Sequence, residues 1–376
     1  MNVILTTYQG AILGPIARVL GYILQALYAL LANFGIENTG ICMILFTFLV
    51  NGLMMPMQIK QQKFSKMSMI MNPEIQAIQK KYKNKKDQAS QQKMSLETQA
   101  VYQKYGVSPA SGCLPMLITF PILFALYRVI YNIPAYVPQV YDVYSGIAQQ
   151  IKSAGVSVEQ LSKMVSSSTY VVTNAVSAAK NSDNISYFVD VLGQFNTNAW
   201  TQLAAKCPDL KTAIMEVAEK SKHINTFLGL NIADTPAIKS VSVIIPILSV
   251  VTQILSTKIS MAGTQQPDAS DNPTAQSMKT MNNVMPFITG LMCFMFPIGV
   301  GIYWVAGNVF RIFQGIGINV YFSKIDMDAE MAKNVEKNKK RMEKMGLDPN
   351  TTMQDIAKQR MTMHLTVMNY QLFFLY

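Results

Sequence analysis

The chain alternates long apolar runs with charged intervals, and that spacing predicts a helical membrane protein. Ile41–Ile59 is nineteen residues without a charge; at about 1.5 Å per residue it covers roughly 28 Å, close to one hydrocarbon core. Cys113–Tyr131 is a second span, charged only at Arg128, and Ser240–Thr257 a third, uncharged. Val284–Phe322 is thirty-nine residues with Arg311 alone charged. That is too long for one helix and right for two, with Phe296-Pro297-Ile298-Gly299 as the turn. The expected fold class is therefore all-α: a polytopic membrane protein with a five-helix core, a cytoplasmic helical hairpin and a helical outer cap. Ala11–Phe34 is also apolar, but Arg18 at a helix centre in lipid costs about 2.5–3.5 kcal/mol. An amphipathic helix on the outer surface avoids that cost. Residues 1–40 are expected to hold such a helix, with an extra span as the alternative.

Charge orients these runs. Ten lysines lie between Lys60 and Lys104 against Glu74, Asp87 and Glu97, a net +7. Residues 133–238 carry seven basic and eight acidic residues, a net −1. Cytoplasmic loops carry the excess of Lys and Arg. So 60–111 is expected inside as a helical hairpin, between spans at 41–59 and 112–131. Residues 132–238 are expected outside as the cap, 239–322 as the last three spans with a short cytoplasmic loop, and 323–376 as a cytoplasmic tail. The expected location is a bacterial cell membrane, multi-pass, with the N-terminal side outside and the C-terminus in the cytoplasm. Within the hairpin, Asn72-Pro73-Glu74 reads as a helix start, Asn84 to Asp87 as the turn, and Gly106 as the C-terminal glycine of the second arm. Ile75, Ile78 and Tyr82 make an apolar stripe, read as packing against the other arm or as a docking face. Arg311 is expected to snorkel at the inner end of the fifth span. Met361–Tyr376 is apolar but too short to span, and has no physical account.

The whole chain has 50% hydrophobic and 14% charged residues with net charge +11, against about 25% charged in a soluble domain. The basic excess is concentrated in one loop, which fits anionic lipid head groups or a ribosome and argues against a specific nucleic-acid partner. Cys42, Cys113, Cys207 and Cys293, with His223 and His364, show no metal-ligand or disulfide spacing. No cofactor, metal or enzymatic step is expected. No Asp or Glu lies in a span, so an ion-coupled transporter is disfavoured.

The remaining chemistry is a set of polar stripes inside the spans. Thr47, Asn51 and Gln58 fall at i, i+4 and i+11 on one helical face. Ser242, Ser249, Gln253 and Ser256 share a face of the third span, the second offers Ser111 and Thr119, and the fifth offers Trp304, Asn308 and Arg311. Each residue alone reads as interhelical glue. Together they read as a shared wet cavity, because polar groups facing lipid are costly. The candidate groove residues are Thr47, Asn51, Gln58, Thr119, Ser249, Gln253, Trp304 and Asn308. Lys80, Lys81, Lys83, Lys85 and Lys86 at the hairpin tip are candidates for recruiting a substrate or a ribosome.

Several strings resemble the YidC family of membrane protein insertases, in the YidC/Oxa/Alb superfamily. They are Phe48-Leu49-Val50-Asn51-Gly52-Leu53-Met54-Met55-Pro56-Met57-Gln58-Ile59, Pro73-Glu74-Ile75, Tyr105-Gly106-Val107-Ser108-Pro109, Gly112-Cys113-Leu114-Pro115 and Pro121 to Arg128. Met285-Pro286 and Phe296 to Trp304, followed by Asn308 and Gln314, are similar to its last two spans. The resemblance implies a five-helix core around a hydrophilic groove open to the cytoplasm and the lipid, which shelters the polar part of an incoming protein. It implies an insertase and folding chaperone whose partners are nascent membrane proteins, with a ribosome and a secretion channel as further candidates. It places Asn51, Gln253 and Trp304 on the groove wall. Many family members carry an arginine five residues before the first-span proline; here that position is Asn51, which can hydrogen-bond a substrate but not attract its charge. The alternative function is a channel or facilitator for a small solute.

Overall fold

The computed structural model describes residues 6–85, 87–107, 110–165, 169–262 and 273–344, with backbone alone at 110–116, 118–119, 273–279 and 342. Lys86, Ser108, Pro109 and the apolar stretch Met361–Tyr376 lie outside the described residues, as do the side chains of Ser111, Cys113 and Thr119.

The architecture is all-α with one minimal hairpin of strands among the described residues. The chain opens with α1 (Leu13–Asn33) and α2 (Thr39–Leu53), then α3 (Met55–Tyr82), α4 (Gln88–Lys104) and α5 (Ala110–Tyr131). Short helices follow: α6 (Pro138–Ser153), α7 (Val158–Ser162), α8 (Tyr170–Ala179), α9 (Ile185–Leu192), α10 (Thr197–Lys206) and α11 (Lys211–Asn225). Antiparallel β1 (Thr226–Phe227) and β2 (Leu230–Asn231) pair Thr226 with Asn231 and Phe227 with Leu230. The chain then runs through α12 (Ile244–Ser260), α13 (Pro273–Cys293), α14 (Ile298–Ser323) and α15 (Met327–Lys344). By length and composition, α1 and the run Val241–Ser260 can each cross a bilayer, and α2 with α3 makes a broken third candidate. α14 is long enough but carries Asn308, Arg311, Gln314 and Asn319, which dilute its apolar content.

The chain divides into two compact units. The first comprises Met1–Leu53, Leu117–Ser256 and Val284–Ile312. Its core joins Leu24 and Tyr28 of α1, Met43 and Phe46 of α2 and Leu126 of α5 to Tyr144, Ile151, Leu161, Leu192, Leu203 and Ile214 of the 133–238 helices. Four of those helices are started by a polar cap: Ser157, Thr169, Asn184 and Asn196 each accept a first-turn backbone N–H. A segment before α1 is fastened to them. Thr6 Oγ1 donates to Asp190 Oδ1 at 2.6 Å, Asn132 Nδ2 donates to the same oxygen at 2.9 Å, and Tyr8 N donates to Tyr136 Oη at 3.1 Å. Arg128 lies over the rings of Tyr8 and Tyr170, 4.6 and 3.8 Å from their centroids.

Burial pushes the Asp190 carboxyl up to about 6, although the Thr6 and Asn132 bonds pull the other way. A folded-state pKa above the unfolded one means the ionised form is the poorer fit. The associated stability is complete below the ordinary carboxylate range and is lost as pH rises through about 6. The term is on the order of 3 kcal/mol. The detergent-solubilised protein is therefore expected to melt lower at about pH 7.5 than at about pH 5, and Asp190→Asn to flatten that dependence. Equal slopes for the two proteins would remove Asp190 as the titrating group.

The second unit comprises Met54–Met116, Thr257–Asn283 and Phe313–Tyr376. α3 and α4 form a hairpin closed by the Asp87 cap, whose carboxylate accepts from Ser90 N. Pro73 does not start a helix: it lies inside α3, which runs unbroken from Met55 to Tyr82. A proline inside a helix costs about 3 kcal/mol. The buried side chains on both sides of it, Met67, Met71 and Ile75, pack with Val101 and Met331 and hold the helix through that point. Ile78 packs on the same cluster, and Tyr82 is buried with its hydroxyl donating to Glu97 Oε1 at 2.8 Å. Lys104 Nζ, 2.8 Å away, and the Tyr105 hydroxyl both donate to Glu74, whose carboxyl is held below the usual range chiefly by the lysine bond. α15 lies along this hairpin. Lys63 pairs with Glu330 at 2.7 Å, and Asn334 and Asn338 donate to the carbonyls of Tyr105, Gly106 and Gln103. These carbonyls lie at and just past the C-terminal end of α4.

Candidate functional site

Polar positions of α2 and α14 meet around Gly307, and α12 joins them through Asn308. On α2, Thr47 Oγ1 donates to Met43 O at 2.6 Å and Asn51 Nδ2 to Thr47 O at 2.8 Å. These back-bonds satisfy the donors within the helix and leave the side chains on the face toward α14. A side chain begun at Gly307 would stand 3.7 Å from Thr47 Cγ2, 3.9 Å from Asn51 Nδ2 and 3.9 Å from Arg311 Nη2. These are ordinary packing distances, so the α2 amide and the α14 guanidinium both lie against the backbone at Gly307. Phe48 and Phe310 flank the contact, with ring centroids 5.5 Å apart. On the other side Asn308 Nδ2 donates to Thr252 Oγ1 of α12 at 3.3 Å, and Arg311 Nη1 donates to Asn308 Oδ1 at 3.1 Å. Thr47 and Ser249 are fully buried, and Asn308 and Asn51 are only 1% and 6% exposed.

The register of this junction is set from one end. Thr39 Oγ1, at the start of α2, donates to Ile224 O at 2.7 Å, and Asn38 Nδ2 to Thr226 O at 2.7 Å. At the start of α14, Ile298 N donates to Asp234 O at 2.7 Å and Gly299 N to Ile232 O at 2.9 Å. The segment 224–234 thus ties the first turns of both helices to one piece of backbone. Asn51 and Gly307 then sit three and two turns further along their helices.

Of the positions singled out from sequence, the structure brings Thr47 and Asn51 against Gly307 and bonds its neighbour Asn308 to α12; Ser249 is buried on α12 without a bond to them among the described residues. Gln58 is not among them. The shared face requires one unbroken helix, whereas the chain breaks at Met54 ahead of Pro56, and Gln58 belongs to α3 in the second unit. Trp304 packs in an aromatic cluster with Tyr127 and Phe296, at centroid distances of 6.5 and 5.9 Å, one turn away from Asn308. Gln253 is half-buried, and the bond to Asn308 comes from its neighbour Thr252. Thr252 was legible in principle: it lies i+3 from Ser249 and i−4 from Ser256, on the same face. Arg311 does not snorkel away from the core; its guanidinium turns back to Asn308. At the hairpin tip Lys80, Lys83 and Lys85 are exposed. Lys81 pairs with Glu97 at 2.7 Å, and Lys81 and Lys85 lie over the Tyr82 ring.

Chemically, the junction is a set of amides, hydroxyls and one guanidinium in apolar surroundings. No Asp or Glu occurs in α2, α12 or α14, so nothing on those helices can take up a proton or balance the arginine. The arrangement can hydrogen-bond a polar chain and attract a negative one.

The comparisons with known proteins agree in direction. The model of the family described as 60Kd inner membrane protein matches residues 30–325. The chain is 29% identical over 318 residues to the membrane protein insertase YidC of Clostridium perfringens, covering 84% of this chain and 94% of that one. It is 28% identical over 283 residues to YidC of Oceanobacillus iheyensis, covering 75% of each. A stretch of 109 residues is 42% identical to the membrane protein insertase MisCA of Bacillus subtilis, 29% of this chain and 41% of that one. With a family model spanning well over half its length, on an all-α membrane architecture, the chain belongs to the 60Kd inner membrane protein family.

Proposed function

We propose that this protein is a membrane protein insertase and folding chaperone. It guides nascent membrane proteins into the bilayer by sheltering their polar segments among the side chains around Gly307. The observation that supports the reading is the chain of polar side chains across three apolar helices: Asn51 and Arg311 against Gly307, Arg311 bonded to Asn308, and Asn308 to Thr252. A polar segment crossing lipid loses its water, and each unsatisfied backbone group then costs several kcal/mol. Amides at that depth return part of the lost hydrogen bonding. In this reading a substrate enters by parting α2 from α14 beside Gly307, which has no side chain to interlock. No nucleotide or covalent step is involved: the energy comes from the substrate's apolar span moving into lipid.

In this reading the hairpin of α3 and α4 faces the cytoplasm, as its lysine excess requires, and the C-terminus lies on the same side. The α6–α11 helices face outward. Exposed Lys80, Lys83 and Lys85 meet anionic lipid head groups or an arriving ribosome. A secretion channel is a candidate companion.

The test is insertion of a single-span substrate with a short polar outer segment into liposomes carrying the purified protein. Asn51→Leu is expected to lower the inserted fraction about tenfold, the effect of losing one buried polar contact worth about 1–1.5 kcal/mol. Asn51→Arg keeps a donor in place and is expected to retain insertion. Undiminished insertion with leucine would count against a polar shelter at this site.

A further inference from the structure

We infer that a cavity at the end of α5 is a binding site for an ethanolamine phospholipid, with Arg128 taking the phosphate and Asp190 the ammonium group. The inference stands apart from the insertase reading, which uses neither residue. The cavity has a volume of about 470 Å³ and lies within the first unit, walled by the 6–10 segment, the last turn of α5 and the α8 and α9 helices. That size is within the range of small-molecule pockets. Arg128 and Asp190 both line it. In the orientation proposed above, this end of α5 lies among the head groups of the outer leaflet.

Three features point to a ligand that carries both charges. The first is a pair of opposite charges that do not meet. No ion pair among the described residues includes Arg128 or Asp190, and Arg128 is not among the groups that lower the Asp190 carboxyl. A buried charge without its counter-charge is costly to hold. The second feature is the way each group is held. Tyr8 and Tyr170 take the faces of the guanidinium, at 4.6 and 3.8 Å from their ring centroids. Its five N–H donors lie in the guanidinium plane, in a fork that suits the oxygens of a phosphate. Asp190 receives Thr6 Oγ1 and Asn132 Nδ2 on Oδ1 alone, and its Oδ2 bonds nothing among the described residues. The third feature is Asn132. It is 5% exposed, its amide nitrogen is committed to Asp190, and its Oδ1 is buried without a donor. A bare buried acceptor is costly, and beside a carboxylate it calls for a donor with positive charge. An ammonium group has three N–H donors and can serve Asp190 Oδ2 and Asn132 Oδ1 together. A trimethylated ammonium has none, and a glycerol head group brings no positive charge.

The test measures dissociation constants for the full-length protein in an uncharged detergent, with short-chain phosphatidylethanolamine, phosphatidylglycerol and phosphatidylcholine and with soluble phosphoethanolamine as probes. Wild type is expected to bind the ethanolamine lipid about tenfold more tightly than either other lipid, the effect of one charge-assisted contact. Asp190→Asn keeps an oxygen that can accept from Thr6 and Asn132. It is expected to bind the ethanolamine and glycerol lipids alike, and its retained hold on the glycerol lipid separates lost preference from lost folding. Arg128→Gln is expected to weaken all three lipids about tenfold, with part of the loss returned by Arg128→Lys. A wild type that does not distinguish ethanolamine from glycerol, an undiminished preference in Asp190→Asn, or unchanged affinities in Arg128→Gln would overturn the assignment. Phosphoethanolamine bound as tightly as the lipid would place the ligand in solution and overturn a lipid site. None of these outcomes bears on insertion, so the insertase reading is tested separately.

Discussion

Trp200→Ala is expected to destabilise the first unit by about 3–5 kcal/mol, the range for deleting a large aromatic from a packed interior. Trp200 is 3% exposed. Its ring stacks on Tyr144 at 6.3 Å with a 10° interplanar angle and meets Phe195 edge-on at 5.1 Å. Tyr144 cannot swing into the vacated space without breaking its 2.9 Å hydrogen bond to Ser221 Oγ. The cavity therefore stays open, and the cost falls at the upper end of the range. The consequence reaches the site through the 224–234 segment, which follows α11 and holds the first turns of α2 and α14. Because the chain has two tryptophans, the variant leaves Trp304 as the sole indole, beside Tyr127 and Phe296. Its fluorescence reports directly on the α14 end of the bundle. Thermal melts in detergent should fall steeply, and Trp200→Phe should recover much of the loss. A melt within about 1 kcal/mol of wild type would mean that the pocket collapses freely.

Gly106→Ala should be the most damaging small substitution in the second unit. Gly106 has φ +63 at the C-terminal end of α4, a conformation that costs an L-residue about 1–2 kcal/mol. A methyl there would also stand 2.8 Å from Asn338 Cβ and 3.1 Å from Asn334 O, so α15 has to shift away. That shift breaks the bonds from Asn334 and Asn338 to the carbonyls of Gln103, Tyr105 and Gly106 and strips cover from Met331, Met67 and Met71. Limited trypsin digestion reads the result, since the hairpin is rich in lysine. Faster cleavage at Lys93 and Lys104 is expected, with the 133–238 helices cut at the wild-type rate. If the damage runs through α15, Asn334→Ala and Gly106→Ala will be non-additive. Simple addition would confine the effect to backbone strain at Gly106.

Lowering the pH should loosen the same hairpin for a different reason. Glu74 and Glu97 are held below the usual carboxylate range, each first by a lysine bond, from Lys104 and Lys81, and then by a tyrosine hydroxyl. A depressed folded-state pKa contributes stability above the ordinary carboxylate range and loses it as pH falls through the folded value. Both pairs are partly open to solvent, so the effect is small and salt-sensitive.

How much was legible beforehand differs between elements. The apolar runs foretold α2, α12 and α14, and the Pro297 turn lies between α13 and α14. Asp87, Ser157, Asn184 and Asn196 are capping residues whose roles are local in sequence. Pro73 misleads because a proline's local preference for a helix start is outweighed here by methionines buried against α4 and α15. Gln58 misleads because helical spacing carries no information across a break.

Sequence alone determined that this is a helical membrane protein with a basic hairpin, that its spans lack carboxylates, and that it resembles the insertases it proves related to. Those properties depend on hydropathy, charge and residues a few positions apart, which a linear pattern records. Only the tertiary structure decided that Thr252 rather than Gln253 meets Asn308, that Thr47 and Asn51 lie against Gly307, and that Arg311 turns back to Asn308. Each depends on how far one helix slides and rotates against another. Backbone bonds from the 224–234 segment to residues far away in the chain set that register, and no periodicity within a single helix encodes it.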